Sequence, residues 1–317
     1  MSSMRRGILS TVLLLTTLAC AAAAQNTCST RFLLNAYTQN HDRLQTVPVV
    51  MVKAKVGGKP TLVNAIRPSS QPLHWEIVID GSGSMMSVGM ELKTKLKWRM
   101  AIDLARKVVA TAPKDSDIGL LMFWGEGRQA APATMDKATL MEELERFRAL
   151  GSENEKPGKT ALWDSIARAN TMLSPSSAHN VIVVISDGGD NSSHLQKSAL
   201  TKELAQTGTR VFSLVLYEPF VTNEERAGAA DLVELAEERG GIALTLNAQD
   251  LLIKKPLEQD QTLSAVAAVV NDFATNSYEV ELNTNAGAKI EELVLKTDPK
   301  NLHLAYPRAI LSCSGSE

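Results

Sequence analysis

A chain of 317 residues, 44% of them hydrophobic, carries enough apolar side chains for one large core, or for one core with a small satellite. Its 33 basic and 35 acidic residues nearly cancel and no basic run stands out, which excludes a nucleic-acid-binding protein on charge grounds. The chain has no internal repeat and no low-complexity tract.

The N-terminus carries Arg5 and Arg6, then an apolar run from Ile8 to Ala24, then the polar "QNTCST". This three-part pattern predicts a secretory signal peptide over residues 1–24, with Gln25 as the first mature residue. The run is short for a bilayer span, which takes about 20 residues. Lipidation at Cys20 is disfavoured, because Thr17 stands where lipoprotein signals carry Leu or another aliphatic residue. Cleavage removes two arginines and no acid, leaving 31 basic against 35 acidic residues and a net charge near −4. The expected product is exported, periplasmic or extracellular, with no membrane span after cleavage. It keeps Cys28 and Cys313, near opposite ends of the chain. In an oxidising compartment these are predicted to pair and clip the termini together, the alternative being two free thiols.

An N-terminal β segment is read over residues 25–72, where "TVPVVMVKAKVGGKPTLVNAI" alternates β-branched residues around Gly57 and Gly58, a hairpin signal. From Trp75 onward, short apolar runs alternate with amphipathic stretches, the pattern of a parallel sheet with helices on both faces. "WEIVID" is the first strand; a helix with Leu96, Met100, Ile102, Leu104, Val108 and Val109 near helical spacing follows and stops at Pro113. "SDIGLLMFW" is a strand, and "RQAAPAT" reads as an edge strand because Pro132 removes a ladder donor. Helices are expected from Met135 to about Ala149 and over "ALWDSIARANTML". "NVIVVISDGG" is the most apolar strand and is placed at the centre of the sheet. A helix ended by Gly208, the strand "TRVFSLVLY", a helix ended by Gly240 and Gly241, the strand "IALTL" and a helix from Gln259 to Ala274 complete the unit. The prediction is a doubly wound α/β domain over 73–275. Beyond it, over 276–317, "SYEVELNT", "IEELVLKT" and "NLHLAYP" are strands, and the two flanks are expected to form one small β-sheet module from which the α/β domain emerges.

Open parallel sheets bind ligands beyond the carboxyl ends of their strands. Asp80 stands at that end of the first strand, and Asp187 at the same end of "VIVVISDGG". In "VIDGSGSMM", an extended turn would point Asp80, Ser82 and Ser84 the same way, with Gly81 and Gly83 letting the backbone bend. Two carboxylates and several hydroxyls converging in a dry crevice call for a cation between them. An all-oxygen set without His or Cys selects a hard one: Mg²⁺, or Mn²⁺ or Ca²⁺ in its place.

"DGSGS" after the first strand, Thr160 in a loop before a helix and Asp187 in "SDGGD" after a central strand together resemble the metal-ion-dependent adhesion site of von Willebrand factor type A domains. All five positions of that pattern, D-x-S-x-S with a distant Thr and a distant Asp, are filled. The resemblance covers the α/β region, and the chain with its signal and β flanks is similar to bacterial exported proteins related to that family. It implies that Ser82, Ser84 and Thr160 ligate an ion through hydroxyls, while Asp80 and Asp187 hold it directly or through water.

Other motifs are weaker. "GSENEKPGKT" ends like a phosphate-binding loop, but Glu153 stands where the first glycine belongs and a helix precedes it, so no nucleotide is expected. Histidines 41, 74, 179, 194 and 303 are scattered without zinc spacing, and no G-x-S-x-G is present. Asp190 reads as a solvated loop acid, with water-mediated support of the site as the alternative, and Asn191 in "NSS" as an inert glycosylation pattern. The expected function is non-enzymatic: cation-dependent capture of an acidic side chain on a protein partner. The alternatives are a structural envelope scaffold with a metal-bound or degenerate site, and a Mg²⁺-dependent hydrolase, which lacks a positioned general base. In family members that switch, partner binding shifts the last helix of the domain.

Overall fold

The computed structural model describes residues 27–38, 43–86, 96–124, 127–153, 159–173, 179–218, 223–285, 287–298 and 301–313. The predicted signal peptide, with Cys20, lies outside the described residues. In chain order the elements are β1 (Thr27–Thr38), β2 (Val52–Val56), β3 (Lys59–Thr61), β4 (Val63–Pro68), β5 (His74–Asp80), α1 (Gly83–Met86), α2 (Leu96–Thr111), β6 (Asp117–Trp124), β7 (Gly127–Thr134), α3 (Lys137–Glu153), α4 (Leu162–Met172), β8 (Asn180–Ser186), α5 (Lys197–Thr207), β9 (Arg210–Tyr217), α6 (Asn223–Glu238), β10 (Ala243–Asn247), α7 (Ala248–Leu252), α8 (Pro256–Thr275), β11 (Tyr278–Asn285), β12 (Ile290–Thr297), β13 (Leu302–Ala305) and β14 (Ala309–Leu311).

The central sheet runs β10-β9-β8-β5-β6-β7. All its pairings are parallel except β6–β7, which is antiparallel and leaves Pro132 on an edge strand. Strand β8 is buried at every position, as its unbroken apolar run requires. Each face of the sheet has its own core. Ile77 and Ile79 of β5 pack with α2, α3, α7 and α8, whereas Val78 points the other way toward α4, α5 and α6. This is the doubly wound α/β fold expected from the sequence.

The flanks form two four-stranded antiparallel sheets, β13-β1-β11-β4 and β14-β12-β2-β3, not the single sheet expected. Both draw strands from both ends of the chain. The hairpin β2–β3 turns at Gly57 and Gly58, each with positive φ, but β4 leaves it to pair with β11 in the other sheet. One apolar cluster, including Phe32, Leu34, Val56, Val280 and Leu293, is shared by the two sheets, so neither has to bury its face alone. Cys28 and Cys313 form a disulfide, tying β1 to the segment after β14.

Two buried arginines fasten this module to the α/β unit. Arg239 donates to the carbonyls of Leu204, Thr209 and Ala309, and Arg210 to the Ala274 carbonyl and Asn35 Oδ1. Oxygen acceptors on both sides offset the cost of burying their charges. The end of α8 is thereby held directly against β9 and β1.

Candidate metal centre

Strand β5 delivers Asp80 to the carboxyl edge of the sheet, where it is fully buried. Its Oδ1 accepts the amide of Ser82 at 2.8 Å, an Asx-type turn that ends the strand. The turn leads straight into α1, so Ser84 lies on a single helical turn, not on the extended segment expected. The hydroxyls nevertheless meet: Ser82 Oγ and Ser84 Oγ are 3.2 Å apart. Oδ2 of Asp80 accepts Ser186 Oγ at 2.5 Å, and Ser186 Oγ in turn accepts the Gly188 amide at 2.9 Å.

Asp187 follows the last residue of β8 and is also buried. Its Oδ1 accepts Ser84 Oγ at 3.1 Å and its Oδ2 accepts Lys97 Nζ at 2.7 Å. Lys97, from the first described turn of α2, has a side chain only 3% exposed. The backbone beyond Asp187 is pressed onto α6. Gly188 has φ +97°, and a Cβ on Gly228 would lie 1.8 Å from its carbonyl oxygen, so neither position accepts a side chain.

Thr160 is buried and bound to the same loop by its backbone. Its amide donates to Asn191 Oδ1 at 2.8 Å, and its carbonyl accepts the amides of Asn191 and Ser192. Asp190 is not a solvated acid: its Oδ1 accepts the Leu162 amide at 2.8 Å and Ser193 Oγ at 2.6 Å, capping α4. Burial raises its pKa above the ordinary carboxylate value. Asp164 accepts the amides of His194 and Leu195 from the other direction. The loop from 187 to 195 and the start of α4 are thus stitched into one unit that carries both Thr160 and Asp187.

Direct hydrogen bonds therefore bring together four of the five expected residues, Asp80, Ser82, Ser84 and Asp187, while Thr160 is tied by its backbone to Asn191 and Ser192 of the loop that follows Asp187. Sequence reasoning missed Lys97, Ser186 and Asn191. Only Ser186 had a visible signal, as the hydroxyl preceding Asp187 in "SDGGD".

Burial, and then the charge of Asp187, push the Asp80 carboxyl up to about 7, against the hydrogen bonds from Ser186 and Ser82. Two acids and one ammonium leave the set with one negative charge in excess when both acids are ionised. Among the described residues no group of three or more His, Cys, Asp or Glu is placed so that it could hold a metal ion, so an ion here would depend on hydroxyls. An oxygen-only set around two mutually repelling buried acids fits a hard divalent cation. Ser84, half-buried, is the most accessible of the five.

Residues 76–189 match the family model of the von Willebrand factor type A domain. Among solved structures, the chain is similar to an aerotolerance-related membrane protein from Bacteroides fragilis, with 20% identity and a TM-score of 0.47 over 64% of this chain and 98% of that one. The protein BatB from Bacteroides thetaiotaomicron is similar at 19% identity and a TM-score of 0.48, again over 64% and 98% of the two chains. A von Willebrand factor type A protein from Catenulispora acidiphila is similar at 12% identity and a TM-score of 0.45, over 92% and 75%. No curated protein sequence matches the chain.

Proposed function

Because this chain contains a von Willebrand factor type A domain, a type that often mediates protein interactions and adhesion, we propose that it is an exported, cation-dependent protein-binding module. Asp80, Ser82, Ser84, Thr160 and Asp187 would hold Mg²⁺, with Mn²⁺ or Ca²⁺ able to stand in. The observation that carries this reading is the burial of Asp80 and Asp187 against the paired hydroxyls of Ser82 and Ser84. When bound, the ion supplies a Lewis-acidic position at which a carboxylate of a partner protein binds.

The residues of the chain divide the work. Asp80 is fixed on both oxygens by Ser82 and Ser186, which holds the first ligand loop to the end of β8. Ser82 and Ser84 offer neutral oxygens, so the only negative charges set against a divalent ion are those of Asp80 and Asp187, and Lys97 offsets one of them. Burial excludes water and strengthens any charge-assisted contact made there. Export is supported by the N-terminal pattern and by the Cys28–Cys313 disulfide, a bond that persists in oxidising compartments. No helix among the described residues is long and apolar enough to cross a membrane.

Partner binding would reach the β module through α8. Asn271 on this helix donates to the Val108 carbonyl and to Thr111 Oγ1 of α2, and Arg210 grips the carbonyl of Ala274 near its end. The test is calorimetric titration of the purified protein with Mn²⁺ and Mg²⁺, beside Asp187→Ala, followed by binding of acidic peptides in Mg²⁺ and in EDTA. One-site ion binding that the variant loses, with peptide binding that requires the ion, is expected. A folded wild-type protein that binds neither ion sinks the reading.

A further inference from the structure

Lys97 has no place in the five-residue pattern, yet it is built into the site. Its ammonium is 2.7 Å from Asp187 Oδ2, and the two side chains are 3% and 1% exposed. Burying an ammonium is costly unless an anion is at hand, so the position is maintained by the acids themselves. Lys97 and Ser84 between them take both oxygens of Asp187, as Ser82 and Ser186 take those of Asp80. A divalent ion entering here either displaces the ammonium from Oδ2 or settles beside it. Both routes set one positive charge against another at short range in a place that water does not screen.

We infer that Lys97 is the internal counter-cation of the site: it neutralises Asp187 while no divalent ion is bound, opposes the ion's entry, and leaves the loaded site one positive charge in excess. An acidic ligand cancels that excess. Ion and carboxylate then bind cooperatively, each improving the affinity for the other by the same factor. This deepens the proposed function and rests on it: Lys97 would make the site weak for the ion alone and stronger for the ion with an anionic partner. The charge of Lys97, not its hydrogen bond alone, is the operative property.

Mn²⁺ affinity measured calorimetrically on wild-type, Lys97→Met and Lys97→Arg protein tests it, each with and without saturating acetate as the carboxylate probe. Lys97→Met should bind Mn²⁺ roughly tenfold tighter or more than wild type. Lys97→Arg, which keeps the charge, should stay near wild type. Acetate should tighten Mn²⁺ binding to wild type and to Lys97→Arg more than to Lys97→Met. If Lys97→Met unfolds without ion, recovery of its far-ultraviolet circular dichroism by Mn²⁺ supports the inference, and failure to recover overturns it. Mn²⁺ binding to a folded Lys97→Met that equals wild type or is weaker overturns it while leaving the metal site standing. Absence of Mn²⁺ binding in all three folded proteins overturns the metal site as well, so the two failures are told apart.

Discussion

Two carboxyls of one strand, Glu76 near the start of β5 and Asp80 at its end, are 1% and 0% exposed and face the same side of the sheet. Their surroundings differ. Asp80 meets an amide and a hydroxyl and lies near a second acid, Asp187, and its carboxyl is raised to about 7 by burial first and Asp187 second. Glu76 sits across from Gly119, where an added Cβ would lie 2.1 Å from Oε2, and its Oε1 has no hydrogen-bond partner among the described residues. Burial, and then the charge of Asp117, raise Glu76 to about 8. Burial beside another acid raises both carboxyls, and only at Asp80 do donors turned toward the carboxyl work against that rise and favour its anion. The carboxyl end of β5 is arranged for charge and the body of the strand is not.

The largest test of this contrast is Glu76→Gln. A raised folded-state pKa stabilises fully below the unfolded value, and that stability is lost as pH rises through about 8. Wild type should lose roughly 4 kcal/mol relative to Glu76→Gln between acidic and mildly alkaline pH, as read from urea unfolding at pH 4.5 and pH 9. An equal difference at the two pH values would show that Glu76 is not held neutral. The next effect separates the two ends of the strand. Mg²⁺ at a hundred times its dissociation constant should stabilise wild type and Glu76→Gln alike by about 2.7 kcal/mol. Asp80→Asn should lose that gain, as measured by the same unfolding curves. Stabilisation that survives Asp80→Asn would place the ion elsewhere.

The elements of this site were readable where chain-local physics decides them. The apolar runs around Val78 and Val184 could only be buried parallel strands, and their C-terminal ends carry Asp80 and Asp187. The disulfide partners followed from there being two cysteines in the chain after the signal. Where tertiary contacts decide, the sequence was silent or misleading. Lys93, Lys95 and Lys97 look alike in "LKTKLKWRM", and the inward turn of Lys97 depends on where α2 docks against the Asp187 loop. Asp190 looks solvated until α4 is placed beside it. Alternation in the flanks identifies strands but not partners, so one sheet was expected where β4 and β2 enter two. Strand β1, the short helix α7 and β14 carry too weak a periodic signal to be read, and "GSM" gives no sign that the Asx turn at Asp80 will start a helical turn.

Ser186→Ala is the smallest and most selective probe of Asp80. The hydroxyl donates to Asp80 Oδ2 at 2.5 Å and accepts the Gly188 amide, so removing it leaves a buried acceptor and a buried donor short of partners. At pH 5 the folded Asp80, whose carboxyl titrates at about 7, is neutral, and the loss should be about 1 kcal/mol. At pH 8.5 the same hydroxyl serves an ionised carboxylate, and the loss should approach about 2 kcal/mol, because hydrogen bonds to charged groups are the stronger ones. Four residues along a strand separate Asp80 from Glu76 by about 13 Å, far enough for independent effects to add. The pH-dependent part should therefore be unchanged in a Glu76→Gln background. A cost that is the same at both pH values would mean that Asp80 does not change charge across this window, and burial beside Asp187 would then not be what sets its protonation.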